Sequence, residues 1–147
     1  MTSSPLLSAR EIAAQIRRKA VSPVEVARTH LDRIERLNPK LNAFVDYKPE
    51  AVLAQAREAE KAILRGDELG PLHGVPVSIK SSIDVAGHLC EAGTRLRAGY
   101  IAAEDAPLVA RLRAAGAVPP ALPTRRNCSW LGRPTTFFMD ARTTPGI

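Results

Sequence analysis

No stretch of about 18 apolar residues occurs in this 147-residue chain, so no part of it is expected to cross a bilayer as a helix. The opening residues Met1-Thr2-Ser3-Ser4-Pro5 lack the basic-then-apolar pattern of a secretory leader, and a cytoplasmic location is the expectation. Cysteine is scarce: Cys90 and Cys128 have no metal-ligand spacing, and in a reducing compartment both should stay thiols. Internal repeats are missing, and so is any Gly/Ser-rich stretch. Neither a cofactor nor a metal site is expected from this inventory.

What is present is an ordinary soluble-domain composition, 45% hydrophobic and 24% charged. The net charge of +6 is unevenly placed. Residues 119–147 hold four arginines (Arg125, Arg126, Arg133, Arg142) and one acid, Asp140, leaving 17 bases against 14 acids in residues 1–118. In that body the bases alternate with acids on helix faces, the pattern of a solvated surface and not of a phosphate track, so nucleic acid is not an expected partner.

Helix signals fill the first third. Ser8 with Glu11 and Ser22 with Glu25 form capping boxes, the second with Pro23 at the first helical position. Ile12, Ile16 and Ala20 should line the inner face of the first helix. Val26, Ile34 and Leu37 should line the second, which is expected to stop at Asn38-Pro39. A third helix should open near Lys48-Pro49-Glu50 and close at Gly66, with Val52, Ala56, Ala59 and Ile63 inward and Glu58, Lys61 and Arg65 outward. Turn residues then lead to Val77-Ser78-Ile79, suited to a buried strand. A last helix over 106–115, introduced by Glu104-Asp105, should turn Leu108, Val109 and Leu112 inward and stop at Gly116, before a strand starting at Ala117-Val118.

The most informative segment is Gly70-Pro71-Leu72-His73-Gly74-Val75-Pro76, followed by the apolar run and Lys80. It resembles the amidase-signature family, whose members carry this glycine- and proline-punctuated loop, a buried strand and then the catalytic lysine. Other matches stand in order around it: Ser22-Pro23-Val24-Glu25, Leu41-Asn42-Ala43-Phe44, Ala92-Gly93-Thr94, and Glu104-Asp105-Ala106 leading to Arg111-Leu112-Arg113-Ala114-Ala115-Gly116-Ala117. The resemblance covers residues 7–118. It implies an α/β fold, here an N-terminal fragment with helices around an incomplete mixed sheet, and hydrolysis of carboxamide C–N bonds as the ancestral activity on small-molecule amides.

Carried over, the family's lysine falls on Lys80. The family pairs it with a bridging serine in a cis peptide and a nucleophilic serine, both downstream. A serine hydroxyl needs a base, and an ammonium is not one, so burial and neighbours must bring the lysine down from its usual pKa of about 10. The cis bond costs about 3 kcal/mol and persists only where packing fixes it. Neither serine has a counterpart in these 147 residues, so the chain is expected to be catalytically incomplete. Ser81 and Ser82 follow Lys80 directly, with no separate base placed to activate them, and read as loop. His73 reads as a loop hydrogen-bonder, His30 as a helix residue and His88 as a turn residue.

From Pro119 onward the family's continuation, a Gly-[Lys/Thr]-Thr-Asn turn and a Pro-Glu step, is replaced by proline- and arginine-rich text expected to be irregular. Reading the codons of this stretch one base out of register, with suitable synonymous choices, yields Gly-Thr-Thr-Asn-Thr-Pro-Glu-Leu and more text resembling that continuation. A one-base frameshift near Val118-Pro119-Pro120 is therefore the expectation, with an amidase part over 1–118 and a frameshifted tail over 119–147. An unfinished sheet would leave unpaired edges and apolar surface. Two rival readings remain: a module docking to a partner chain through its open sheet edge, and nucleic-acid binding through the arginine tail.

Overall fold

A computed structural model describes residues 7–44 and 48–119. Of the tail expected over 119–147, residues 120–147 lie outside the described residues.

The two capping boxes form as the sequence spells them. In α1 (Ala9–Arg17) Ser8 Oγ accepts the Glu11 amide while the Glu11 carboxylate takes the Ser8 amide at 2.7 Å. In α2 (Pro23–Leu41) Ser22 and Glu25 repeat the exchange at 3.1 and 2.8 Å. Helix α1 ends where Lys19 turns left-handed, with its amide on the Ile16 carbonyl and that of Ala20 on Gln15. Ala20 thus falls beyond the helix and is exposed, contrary to the face assigned to it.

Helix α2 also departs from expectation by running through Pro39 to Leu41. Pro39 has no amide to give the Glu35 carbonyl, and Glu35 is an exposed residue, where the loss of one helical bond is tolerated. The Asn38 side chain then closes the end, accepting the Phe44 amide at 2.8 Å and donating to the Phe44 carbonyl at 2.7 Å. Val26 is buried, but Ile34 and Leu37 are only half-buried. Helix α3 (Pro49–Arg65) ends on left-handed Gly66 and buries Val52, Ala56 and Ile63.

These helices meet in two apolar clusters. One joins Ile12, Ala13, Ile16, Val26 and Ile63 with Val75; the other joins Ala27, Leu31, Val52 and Ala56 with Val118. Each contains one residue from a non-helical segment, Val75 or Val118, and those two segments are bonded to each other. The Val118 amide donates to Val75 at 2.9 Å and the Val77 amide to Val118 at 3.0 Å. This makes one parallel bridge, Pro76 with Val118, in place of the expected strands; Leu89 and Ile101 form an isolated antiparallel one. Among the described residues no longer ladder exists, so the mixed sheet is reduced to these two contacts.

The last helix, α4 (Pro107–Ala114), is shorter than the 106–115 read from the sequence. Val109 is fully buried and Leu112 half-buried, but Leu108 is 52% exposed and does not face inward. The capping residue is Ala106, with no side-chain bond to the helix start, so Glu104-Asp105 does not introduce α4 as a cap. The Asp105 carboxylate is engaged elsewhere.

Candidate active-site segment

The loop before Lys80 is held by backbone. Leu72 donates to the Ala115 carbonyl and Gly74 to that of Gly116, both at 2.9 Å. Such close approach excludes side chains: a Cβ on Gly70 would sit on the Ala115 carbonyl, and one on Gly116, at φ +82°, would lie 2.9 Å from the His73 Cα. His73 itself reaches α3, its Nε2 2.8 Å from the Ala59 carbonyl. A carbonyl only accepts, so Nε2 carries the proton and His73 is a structural donor. His30 Nδ1 similarly meets the Val26 carbonyl at 2.8 Å within α2, while His88 lies in the turn over 86–88.

Beyond the bridge the chain alternates. Ile79 is buried, Lys80 exposed and Ser81 buried, as an extended segment requires when one side faces a core. The turn closes at once, with the Ile83 amide on the Lys80 carbonyl at 2.9 Å. Lys80 is therefore the first residue of a fixed turn, and it is exposed. The burial expected of a lysine acting as base is not supplied by the described residues. Ser81 and Ser82 both lie in this turn, the first buried and the second exposed, in keeping with their reading as loop.

Three ties hold this turn and the residues just after it to later parts of the chain. Cys90, with no exposed surface, donates its thiol to the Ser81 carbonyl at 3.1 Å, and the Ala92 amide meets the same oxygen at 3.1 Å. Burial pushes the Cys90 thiol up to about 11, and nearby Asp84 adds to the rise, so the sulfur stays a protonated donor. Arg97 lies 3.1 Å from the Asp84 carboxylate and 4.2 Å from the centroid of the Tyr100 ring. Asp105 accepts the Ala86 amide at 2.9 Å and Arg113 Nε at 2.6 Å. Burial alone would raise the Asp105 pKa, but the Ala86 amide and the Arg113 guanidinium outweigh it and hold the carboxyl below its ordinary value.

The two ion pairs, Arg97 with Asp84 and Arg113 with Asp105, do not stand out in the sequence. The signal there is that Asp105 and Arg113 fall inside a motif that is informative for other reasons. No group of three or more His, Cys, Asp or Glu side chains able to hold a metal ion occurs among the described residues.

Comparison with known proteins agrees with the motifs. A model of the family described as Amidase matches residues 25–121. The chain is 44% identical over 112 residues to a glutamyl-tRNA(Gln) amidotransferase subunit from Carboxydothermus hydrogenoformans, covering 76% of this chain and 23% of that protein. It is likewise 44% identical over 111 residues to indoleacetamide hydrolase of Bradyrhizobium diazoefficiens, covering 76% and 21%. Native peptide amidase from Stenotrophomonas maltophilia superimposes with a TM-score of 0.72 at 31% identity, over 81% of this chain and 24% of that one. The chain thus spans about a quarter of the length of these relatives.

Proposed function

The chain belongs to the amidase family, and from that premise we propose that it is by descent a hydrolase of carboxamide C–N bonds in which Lys80 is the base of a Ser-cisSer-Lys triad. The observation that carries this is the position of Lys80. It follows the Gly70–Pro76 loop and the run Val77-Ser78-Ile79, at a turn fixed by its own carbonyl, within the residues 25–121 that the family model matches.

The chemistry assigned to each part is limited by what these residues hold. A neutral Lys80 amine takes a proton from a bridging hydroxyl, which in turn takes one from the nucleophilic serine; backbone amides hold the oxyanion. The 147 residues contain the first of these groups and no Gly/Ser-rich stretch for the others. Lys80 is exposed, so the cover this role calls for is not among the described residues. By themselves residues 1–147 are therefore inactive, 1–118 forming the amidase part and 119–147 the out-of-frame tail. The substrate class is a small-molecule carboxamide. No helix among the described residues is long and apolar enough to cross a membrane.

Two measurements test the proposal. Ammonia release from simple carboxamides by the purified 147-residue chain should be absent; release that Lys80→Ala abolishes would overturn the incompleteness. Restoring one base near codons 118–120 and expressing the downstream frame should give Lys80-dependent hydrolysis. An immediate stop in that frame, with no Gly/Ser-rich coding beyond it, would remove the frameshift.

A further inference from the structure

The segment after Lys80 is fastened to α4 by a reciprocal pair of bonds. The Ala106 amide donates to the Asp84 carbonyl at 2.9 Å, and Asp105 Oδ1 accepts the Ala86 amide at 2.9 Å. The other carboxylate oxygen of Asp105 takes Arg113 Nε at 2.6 Å, from the last turn of α4. With its side chain only 17% exposed, Asp105 has exchanged most of its water for these two donors.

Apolar packing alone would leave the turn free to slide. Val109 of α4 is fully buried against Ile79 and Val85, which precede Lys80 and Ala86 respectively. Contacts of this kind are non-directional, so they hold the two stems of the turn near α4 without fixing their register. A carboxylate bonded at both oxygens does fix it. Because α4 is capped by Ala106 with no side-chain bond, the Asp105 carboxylate is not committed to the helix start.

Resting on the reading of Lys80 as the base, we propose that Asp105 is a positioning residue, which locks the exit of the Lys80 turn onto α4 and so sets where the amine stands. Arg113 completes the lock by holding the second oxygen of the carboxylate, and Arg97 steadies the same turn from the other side through Asp84.

The test is site-resolved amide exchange on the full 147-residue chain. Deprived of its charged acceptor, the Ala86 amide should exchange about tenfold faster or more in Asp105→Ala. The Ile83 and Ala106 amides should also exchange faster, and those of α2 and α3 should not. Asp105→Asn keeps an acceptor for Ala86 and should restore most of its protection, which a role in bulk stability would not do selectively. Equal acceleration everywhere, or an unchanged Ala86 amide, overturns the lock. If Asp105→Ala does not fold, Asp105→Asn and Arg113→Gln are judged against the same two criteria, Arg113→Gln being expected to loosen Ala86 while leaving α2 and α3 as they were. Exchange reads the lock whether or not Lys80 is a base, and ammonia release in the restored frame reads Lys80, so the two ideas fail separately.

Discussion

The His73 imidazole donates through Nε2 to the Ala59 carbonyl 2.8 Å away, joining the loop that precedes Lys80 to the middle of α3. A carbonyl inside α3 gains a second donor from it, and the loop gains an anchor that backbone bonds to residues 115–118 do not provide. His73→Ala should destabilise the chain by about 1–2 kcal/mol, the cost of leaving a half-buried acceptor without that partner. The shift in urea midpoint measures it. A change indistinguishable from zero would assign the anchoring to the backbone bonds alone.

Gly70→Ala should be more damaging than its size suggests. The added methyl would be driven onto the Ala115 carbonyl, and backbone cannot rotate aside as a flexible side chain can. A loss of about 1–3 kcal/mol is expected from such overpacking. Gly66→Ala provides the contrast, since nothing lies within 4 Å of a Cβ there and only the left-handed φ of +80° opposes it. Equal costs at the two positions would show that conformation, and not contact with Ala115, restricts residue 70.

Asp105 makes stability depend on acid. Its folded pKa lies below the ordinary carboxylate value, so the carboxylate contributes stability that is fully present above that ordinary value and is lost as pH falls through the folded one. Denaturant midpoints tracked downward from the ordinary carboxylate range should fall, and Asp105→Asn should flatten that fall. An unaltered acid limb in the variant would assign the loss to other carboxylates.

Much of the helical frame is legible in the sequence because its signals are local. Ser8 with Glu11, and Ser22 with Glu25, each satisfy backbone donors within one turn, and no distant residue decides whether they do so. Lys80 can be located for a similar reason, since the loop and run before it form one continuous text. What the sequence misreads depends on distant partners. Pro39 looks like a stop until Asn38 is seen bonding Phe44, and Asp105 looks like a helix opening until Ala86 and Arg113 are seen to claim its oxygens. Val77-Ser78-Ile79 has a strand's pattern, but a ladder needs neighbours, and the described residues supply a single parallel bridge at Val118. Burial of Lys80 is an inference from the role proposed for it, and Lys80 is exposed.

Cys90 should resist thiol reagents while the chain is folded. It is fully buried, donates to the Ser81 carbonyl and is pushed up to about 11, so at mildly alkaline pH almost none of it is the thiolate that reacts. Alkylation read on the Cys90 peptide by mass spectrometry should be slow in buffer and fast in denaturant. Fast labelling in buffer would mean that the segment around Ser81 opens freely.

The exposed apolar side chains between Leu89 and Leu108 lead to a prediction about the whole chain. Leu96 is 96% exposed, Ile101 60% and Leu108 52%, all within one stretch that also carries the half-open Leu89 and Tyr100. Single exposed apolar residues are ordinary, but several from neighbouring segments can form a surface to which hydrophobic dyes bind. The purified 147-residue chain should therefore enhance dye fluorescence under native conditions and tend to associate as its concentration rises. Leu96→Lys together with Ile101→Lys should reduce both, at little cost in stability, because neither side chain is part of a buried cluster. A sharp two-state melt with no dye binding would contradict this, since it would require these side chains to be covered in solution.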